Sequence, residues 1–292
     1  MGLNAAHTKW MLLMKKKNKV DFSNIATLGR QTLYIKKDDK NLSQFFDIEN
    51  ALQEDGYSEQ YWSILAGKES KVDSFDISEF EQATVIHDMN DPLPEIYQNK
   101  YGVVVDGGTL EHVFTYTTAL HNAMSMVSGG GYFIIMTPSN NQCGHGFYQF
   151  SPELFYSVLN EKNGFRIIDM TAIVEKSVLG GTKVRYYRLR DNTKTGERLM
   201  LHTSHRTYLL ILAKRIGNIP KKQLIVQQSD YISLWNNKKV INKKSSGIKQ
   251  ILKRNKMIYK MGIYYLEKKE KNKVSKFATK YNIDRELKKY NS

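Results

Sequence analysis

The apolar positions of this chain come in short runs separated by glycine, proline or charge. Phe22–Leu28, Lys71–Ile77 and Thr84–Ile86 read as three strands in the first half. Val103–Val105 and Tyr132–Met136 are shorter and β-rich, the pattern of strands buried on both faces of a parallel sheet. Between those two, Thr117–Val127 places Ala119, Leu120, Ala123, Met124 and Val127 at spacings of one, three and four, a helical stripe. The run Gly129-Gly130-Gly131 ends that helix and opens the next strand. Strand, helix, strand is a right-handed crossover unit. Gly164–Met170 and Thr207–Lys214 supply two last strands, expected as an antiparallel edge. Lys40–Glu69 is polar and helix-permissive, with Leu42, Phe45, Phe46, Leu52, Tyr61, Trp62 and Leu65 as inward candidates. Ser151-Pro152-Glu153 is a helix start, with the cap, a first-position proline and an acid in the first turn. Glu175–Arg206, rich in Arg, Lys, Gly and Tyr, reads as a substrate-side insertion or a disordered loop.

Polar chemistry gathers where the strands end. Asp106-Gly107-Gly108 and Leu110-Glu111-His112 follow one strand, and Thr137-Pro138 through Gln149 follow the next. Open α/β sheets bind ligands beyond the carboxyl ends of their strands. A site is therefore expected there.

Composition narrows the setting. The chain has 292 residues, 41% of them hydrophobic, enough for one large domain or two small ones. Its single Cys, Cys143, excludes an internal disulfide or a cysteine-cluster metal site and fits a reducing compartment. At the start, MGLNAAHTKWMLLMKKKNKV puts its charges after the apolar patch, the wrong order for a signal peptide. Gly2 lacks the Ser or Thr of a myristoylation motif. No apolar run approaches the roughly 20 residues that span a bilayer, so a soluble cytoplasmic protein is expected.

The charge is uneven. From Lys238 onward there are 18 Lys and Arg against 4 Asp and Glu, so nearly all of the formal +15 lies in residues 238–292. The expected division is therefore an α/β domain over 1–237 and a basic, amphipathic helical tail over 238–292. In the tail Ile248, Ile251, Leu252, Ile258, Tyr259 and Met261 lie among Lys249, Lys253, Arg254, Lys256 and Lys260. Such a face can lie on an anionic membrane surface, pair with phosphates, or dock on an acidic protein, and it can equally be a solvated helix without a partner. No RNA-binding signature is present, so nucleic acid is not favoured.

The segments VDGGTLEHVF and GHGFYQFSPELF carry a specific resemblance. They are similar to class I S-adenosylmethionine-dependent methyltransferases, and to a bacterial group of methyltransferase-like proteins of which some are associated with cell-surface glycan synthesis. The resemblance spans about residues 20–235 and implies a Rossmann-like, seven-stranded, mostly parallel sheet. It implies S-adenosylmethionine as cofactor and O-methylation of a glycan component or its nucleotide- or lipid-linked precursor. The tail would then hold the enzyme at the inner membrane face or against a partner. A methyltransferase-fold protein that binds without catalysing is the rival.

Within that resemblance Gly29 and Arg30 form the first cofactor turn, where the family usually has two or three glycines and this chain has one. Asp76, with Ile77, would take the ribose hydroxyls; a cap for the turn at Ser78 is the alternative. Asp88 and Met89 would flank adenine, or be a turn acid beside a core methionine. Asp106 and Gly107 complete the cofactor set. An acceptor hydroxyl must lose a proton, and histidine titrates nearest neutrality. His145, between two glycines, is the first choice as base or substrate contact, with His112 and Glu111 beside it. Tyr148 and Gln149 would position a sugar-like acceptor. Glu111, His112 and His145 offer three metal donors, but the further acid that accompanies them in some methyltransferases is Gly108 here, so no metal is expected.

Overall fold

The computed structural model describes residues 2–179, 181–193, 195, 198–221, 224–236 and 276–290. Eleven strands lie among these: β1 (Gly2–Asn4), β2 (Asn24–Leu28), β3 (Thr32–Tyr34), β4 (Lys71–Asp76), β5 (Val85–Ile86), β6 (Tyr101–Asp106), β7 (Val127–Asn140), β8 (Phe165–Val178), β9 (Gly181–Leu189), β10 (Arg206–Arg215) and β11 (Ala278–Tyr281). The helices are α1 (Ala5–Asn18), α2 (Lys40–Ser43), α3 (Ile48–Ala51), α4 (Glu59–Ala66), α5 (Tyr116–Met126), α6 (Pro152–Val158), α7 (Ser229–Asn236) and α8 (Ile283–Lys288).

The main sheet has the order β11-β9-β8-β10-β7-β6-β2-β4-β5. All seven strands expected from the apolar pattern sit side by side in it. β5, β4, β2, β6 and β7 pair in parallel. β10 runs antiparallel to both β7 and β8, so β8 regains the common direction. From β2 the chain moves outward to β4 and β5, then returns to β6 on the other side. The switch point of this open, Rossmann-like sheet therefore lies between β2 and β6.

Three departures from the sequence reading have physical causes. First, Glu175–Arg206 is neither a loop nor an insertion throughout: β8 runs on to Val178 and pairs antiparallel with β9. Because β9 is half exposed, only Tyr186 and Leu189 of it are buried, and its polar text hides a strand. Second, the expected boundary at 237/238 does not mark the end of the fold. β11 adds to β9, and α8 buries Ile283 and Leu287 against α1. The tail residues 237–275 lie outside the described residues. Third, the opening segment is helix α1. Nine of its residues, Ala6 to Met14, are buried, which erases the amphipathic stripe that would have announced it.

Two cores flank the sheet. Phe75, Val104, Leu120, Ala123, Phe133, Phe155 and Leu209 belong to one, with α5 and α6. Trp10, Leu13, Phe22, Trp62, Val105, Ile134 and Leu210 belong to the other, with α1 and α4. Burying each Val, Leu, Ile or Phe side chain among these contributes about 1.5–3 kcal/mol relative to exposure. Among the described residues no helix is long and apolar enough to cross a membrane.

Candidate active site

At the end of β6 the Asp106 carboxylate folds the chain back on itself. Its Oδ1 accepts the N–H groups of Thr109 (2.8 Å) and Leu110 (3.3 Å), while Gly108 adopts a φ of 101° that favours glycine. The Thr109 hydroxyl donates to the Leu28 carbonyl at 2.6 Å, stapling this turn to β2. The short 3-10 turn Leu110–His112 that results points Glu111 inward and His112 outward.

The loop after β7 is clamped onto that turn. Phe147 and Tyr148 donate their N–H groups to the Glu111 carbonyl at 2.7 and 3.3 Å. Gly146 makes this approach possible, since its φ is +74° and a Cβ there would lie 2.7 Å from the same carbonyl oxygen. The Tyr148 hydroxyl adds a bond to the Phe114 carbonyl at 2.7 Å. The clamp brings His145 Nε2 to 3.6 Å from Glu111 Oε1 and sets the His145 and His112 rings 5.0 Å apart. Glu111 Oε2 accepts from the Thr137 hydroxyl at 3.1 Å. One donor atom from each of Glu111, His112 and His145 lies within 4.8 Å of the others.

Electrostatics at this cluster follow from burial. Asp106 is fully buried and desolvation pushes its carboxyl up to about 7, against the pull of its backbone hydrogen bonds. Glu111 is raised to about 8 by desolvation first and by repulsion from Asp106 second. His112 is lowered, by desolvation and then by His145. Asp106 Oδ2 is buried without a hydrogen-bond partner.

The expected cofactor residues head the three strands around the switch point. Gly29, with φ 70°, donates its N–H to the Phe75 carbonyl at 2.6 Å, joining the ends of β2 and β4. Asp76 ends β4 and stays half-buried; its Oδ1 accepts from the Ser78 N–H at 3.1 Å. Ile77 beside it is exposed. Arg30 is committed to the protein: it pairs with Glu59 (2.7 Å) and Asp55 (2.8 Å) and stacks 3.8 Å over the Tyr57 ring. Asp88 Oδ1 accepts from the N–H and the side-chain amide of Asn90, both at 2.8 Å. Met89 is buried within the core on the α5 side of the sheet.

Sequence reasoning missed Gln31. Its side chain is buried, donates to the Leu28 carbonyl (2.6 Å) and Gly29 carbonyl (3.2 Å), and leaves Oε1 without a partner. It lies directly over Gly107, where a Cβ would come within 2.0 Å of Oε1. The acceptor residues also shift. Gln149 is used within its own loop, accepting from the Gln142 N–H at 2.8 Å, and Tyr148 packs between Tyr116 and Phe150. The aromatic rings left exposed near the histidines are Phe114 and Phe147, 6.2 Å apart. Their signal in the sequence was apolar residues in loops otherwise polar.

A groove of about 1220 Å³ runs elsewhere, along α5 between Leu93, Tyr116, His121 and Ile219. Three of its polar side chains are bonded within the protein: His121 to the Pro220 carbonyl at 2.9 Å, Asn122 to the Asp91 carbonyl at 2.7 Å, and Arg215 to Asn99 at 3.1 Å. The converging, incompletely paired groups are at the strand ends instead.

No protein-family profile matches the sequence, and no curated protein does. Several solved structures are similar in shape. The N-methyltransferase NodS from Bradyrhizobium japonicum WM9 is 10% identical with a TM-score of 0.37, over 73% of this chain and 96% of that one. The Burkholderia thailandensis 1,6-didemethyltoxoflavin N1-methyltransferase, crystallised with S-adenosylhomocysteine, is 12% identical with a TM-score of 0.37, over 72% and 77%. The MccD protein is 11% identical with a TM-score of 0.40, over 72% and 97%. At such identities the activity has to be argued from this chain's own residues.

Proposed function

We propose that this chain is an S-adenosylmethionine-dependent methyltransferase that O-methylates a glycan component or its nucleotide- or lipid-linked precursor. The observation that carries the reading is the row Gly29, Asp76 and Asp106, at the ends of three neighbouring parallel strands at the switch point, with Glu111 in the turn just after Asp106 and His145 one strand further on. Asp76 would accept from both ribose hydroxyls. Two buried acceptors without partners, Gln31 Oε1 and Asp106 Oδ2, fit the ammonium end of an amino-acid moiety. That end would then meet the Gln31 amide in the first turn. When bound, the group supplies a methyl on a positively charged sulfur. The protein's task is alignment and exclusion of water. The Glu111–His112–His145 cluster takes charge of the acceptor's proton, and the exposed Phe114 and Phe147 rings suit the apolar face of a sugar.

Calorimetric titration with S-adenosylmethionine and S-adenosylhomocysteine tests the reading. Saturable binding of both is expected; no heat at millimolar ligand overturns it. That outcome would favour a second reading, a methyltransferase-fold binding protein, which draws on Arg30 being fully engaged and Gln31 filling the first turn.

The basic residues of 238–275 extend the proposal to an anionic membrane surface at the inner face. Because β11 and α8 belong to the fold, truncation is the wrong test. Reversing Lys249, Lys253, Lys256 and Lys260 to Glu should abolish co-sedimentation with phosphatidylserine vesicles at low salt, and unchanged sedimentation discards the idea.

A further inference from the structure

We propose that Glu111, His112 and His145 bind one divalent transition-metal cation. The site uses the cluster on which the methyltransfer reading draws, but metal binding is measured without any methyl donor, so the two can fail separately.

The first argument is spacing. Protein nitrogens and oxygens sit about 2.0–2.2 Å from a cation of this class, so two tetrahedral ligands stand roughly 3.4 Å apart. A direct hydrogen bond would draw the same atoms to about 2.7–3.2 Å. Glu111 Oε1 and His145 Nε2 are 3.6 Å apart, which is the separation of co-ligands rather than of bonded partners. The His112 donor completes the set within 4.8 Å.

The second argument is support around the donors. Metal sites depend on the groups that orient their ligands. Thr137 holds Glu111 Oε2, leaving Oε1 toward the rings. The Phe147 and Tyr148 N–H groups on the Glu111 carbonyl, together with Gly146, fix the His145 loop to the Glu111 turn. These three side chains are thus held together by backbone contacts that no single element supplies.

The third argument is charge. Asp106 and Glu111 are both buried, and Asp106 Oδ2 has no hydrogen-bond partner. Among the described residues neither carboxyl has a lysine or arginine partner. A cation bound there compensates the charge of the buried Glu111 carboxylate that it touches.

Two imidazoles and one carboxylate suit zinc, cobalt, iron or manganese, whereas calcium and magnesium prefer an all-oxygen shell. Three protein ligands leave coordination positions open. His145 is half exposed and Glu111 buried, so those positions face the solvent side, where Phe114 and Phe147 lie. With the cation bound, His145 holds the metal instead of taking the acceptor's proton itself, and a hydroxyl oxygen is the class of group the open positions would accept.

The test uses the full chain, stripped by chelation and titrated with Co²⁺ and Zn²⁺ by calorimetry, with Co²⁺ also followed by visible absorption. One equivalent per chain is expected, with a Co²⁺ band characteristic of nitrogen coordination. His112→Ala and His145→Ala should each weaken binding by at least about tenfold, and the double variant should lose it. His112→Asn with His145→Asn, checked by thermal unfolding, serves if the alanine variant does not fold. Absence of saturable binding below about 1 mM would overturn the proposal, as would unchanged affinity in a folded double variant.

Discussion

His145 Nε2 lies 3.6 Å from Glu111 Oε1, although one residue follows β7 and the other follows β6. Nothing in either loop alone places them together. The Glu111 carbonyl does so, by receiving two N–H groups from the residues just after His145. His145→Ala should therefore leave binding of S-adenosylhomocysteine intact while lowering methyl transfer by roughly 10²–10⁴-fold. Turnover equal to wild type would remove His145 from the site.

Gly146 is the hinge of that clamp. Gly146→Ala adds a Cβ at a φ of +74°, 2.7 Å from the Glu111 carbonyl oxygen. The loop must retreat, carrying His145 from Glu111. Stability should fall by about 1–2 kcal/mol in chemical denaturation, with turnover falling nearly as far as in His145→Ala. Retained turnover would show that the clamp does not position the histidine.

His7 gives a pH dependence with a definite sign. Its ring is fully buried, and desolvation pulls its pKa down to about 4. Between that value and the ordinary 6.5 the unfolded chain binds a proton that the folded chain refuses. Stability from this residue is thus complete above about 6.5 and lost as pH falls toward 4, by on the order of 3 kcal/mol. The neighbours are the Tyr208 ring at 5.9 Å and Asn4, itself bonded to Glu175. Asp106 and Glu111, raised by burial, oppose the trend, so the comparison must be with His7→Gln, which preserves the capping box around Asn4. The wild-type curve should fall more steeply than the variant's between pH 6.5 and 4; parallel curves would contradict it.

Asp169 ties α1 to the outer strands. Its buried carboxylate accepts from Trp10 Nε1 at 3.2 Å, the Thr171 hydroxyl at 2.8 Å and Arg188 Nε at 3.0 Å. Asp169→Ala leaves a half-buried guanidinium and an indole N–H without their acceptor, and should cost about 3–5 kcal/mol in urea denaturation. A loss under about 1 kcal/mol would mean that the network is not structural.

How far the sequence foretold this follows from which residues face which side. The five parallel strands were legible because Val103–Val105 and their neighbours are apolar on both faces, and α5 because one face alone is buried. α1 was not, since Trp10 and Leu13 share burial with His7, Thr8 and Lys9. β11 and α8 hide in lysine-rich text where only Ala278, Ile283 and Leu287 are buried. At the site, Asp106, Glu111 and His145 announce themselves by residue type and by position after strands. Arg30 and Tyr148 looked available in sequence because their partners, Glu59 and the Phe114 carbonyl, come from distant segments. Gln31 was invisible for the converse reason: its importance lies in resting on Gly107, a contact across two strands.

A crystal structure with S-adenosylhomocysteine bound tests the central claim most directly. The account predicts the ribose hydroxyls within hydrogen-bond distance of the Asp76 carboxylate, and the ammonium group beside Gln31 Oε1 and Asp106 Oδ2. Ligand density absent from the ends of β2, β4 and β6, or an adenosine bound away from Asp76, would contradict it.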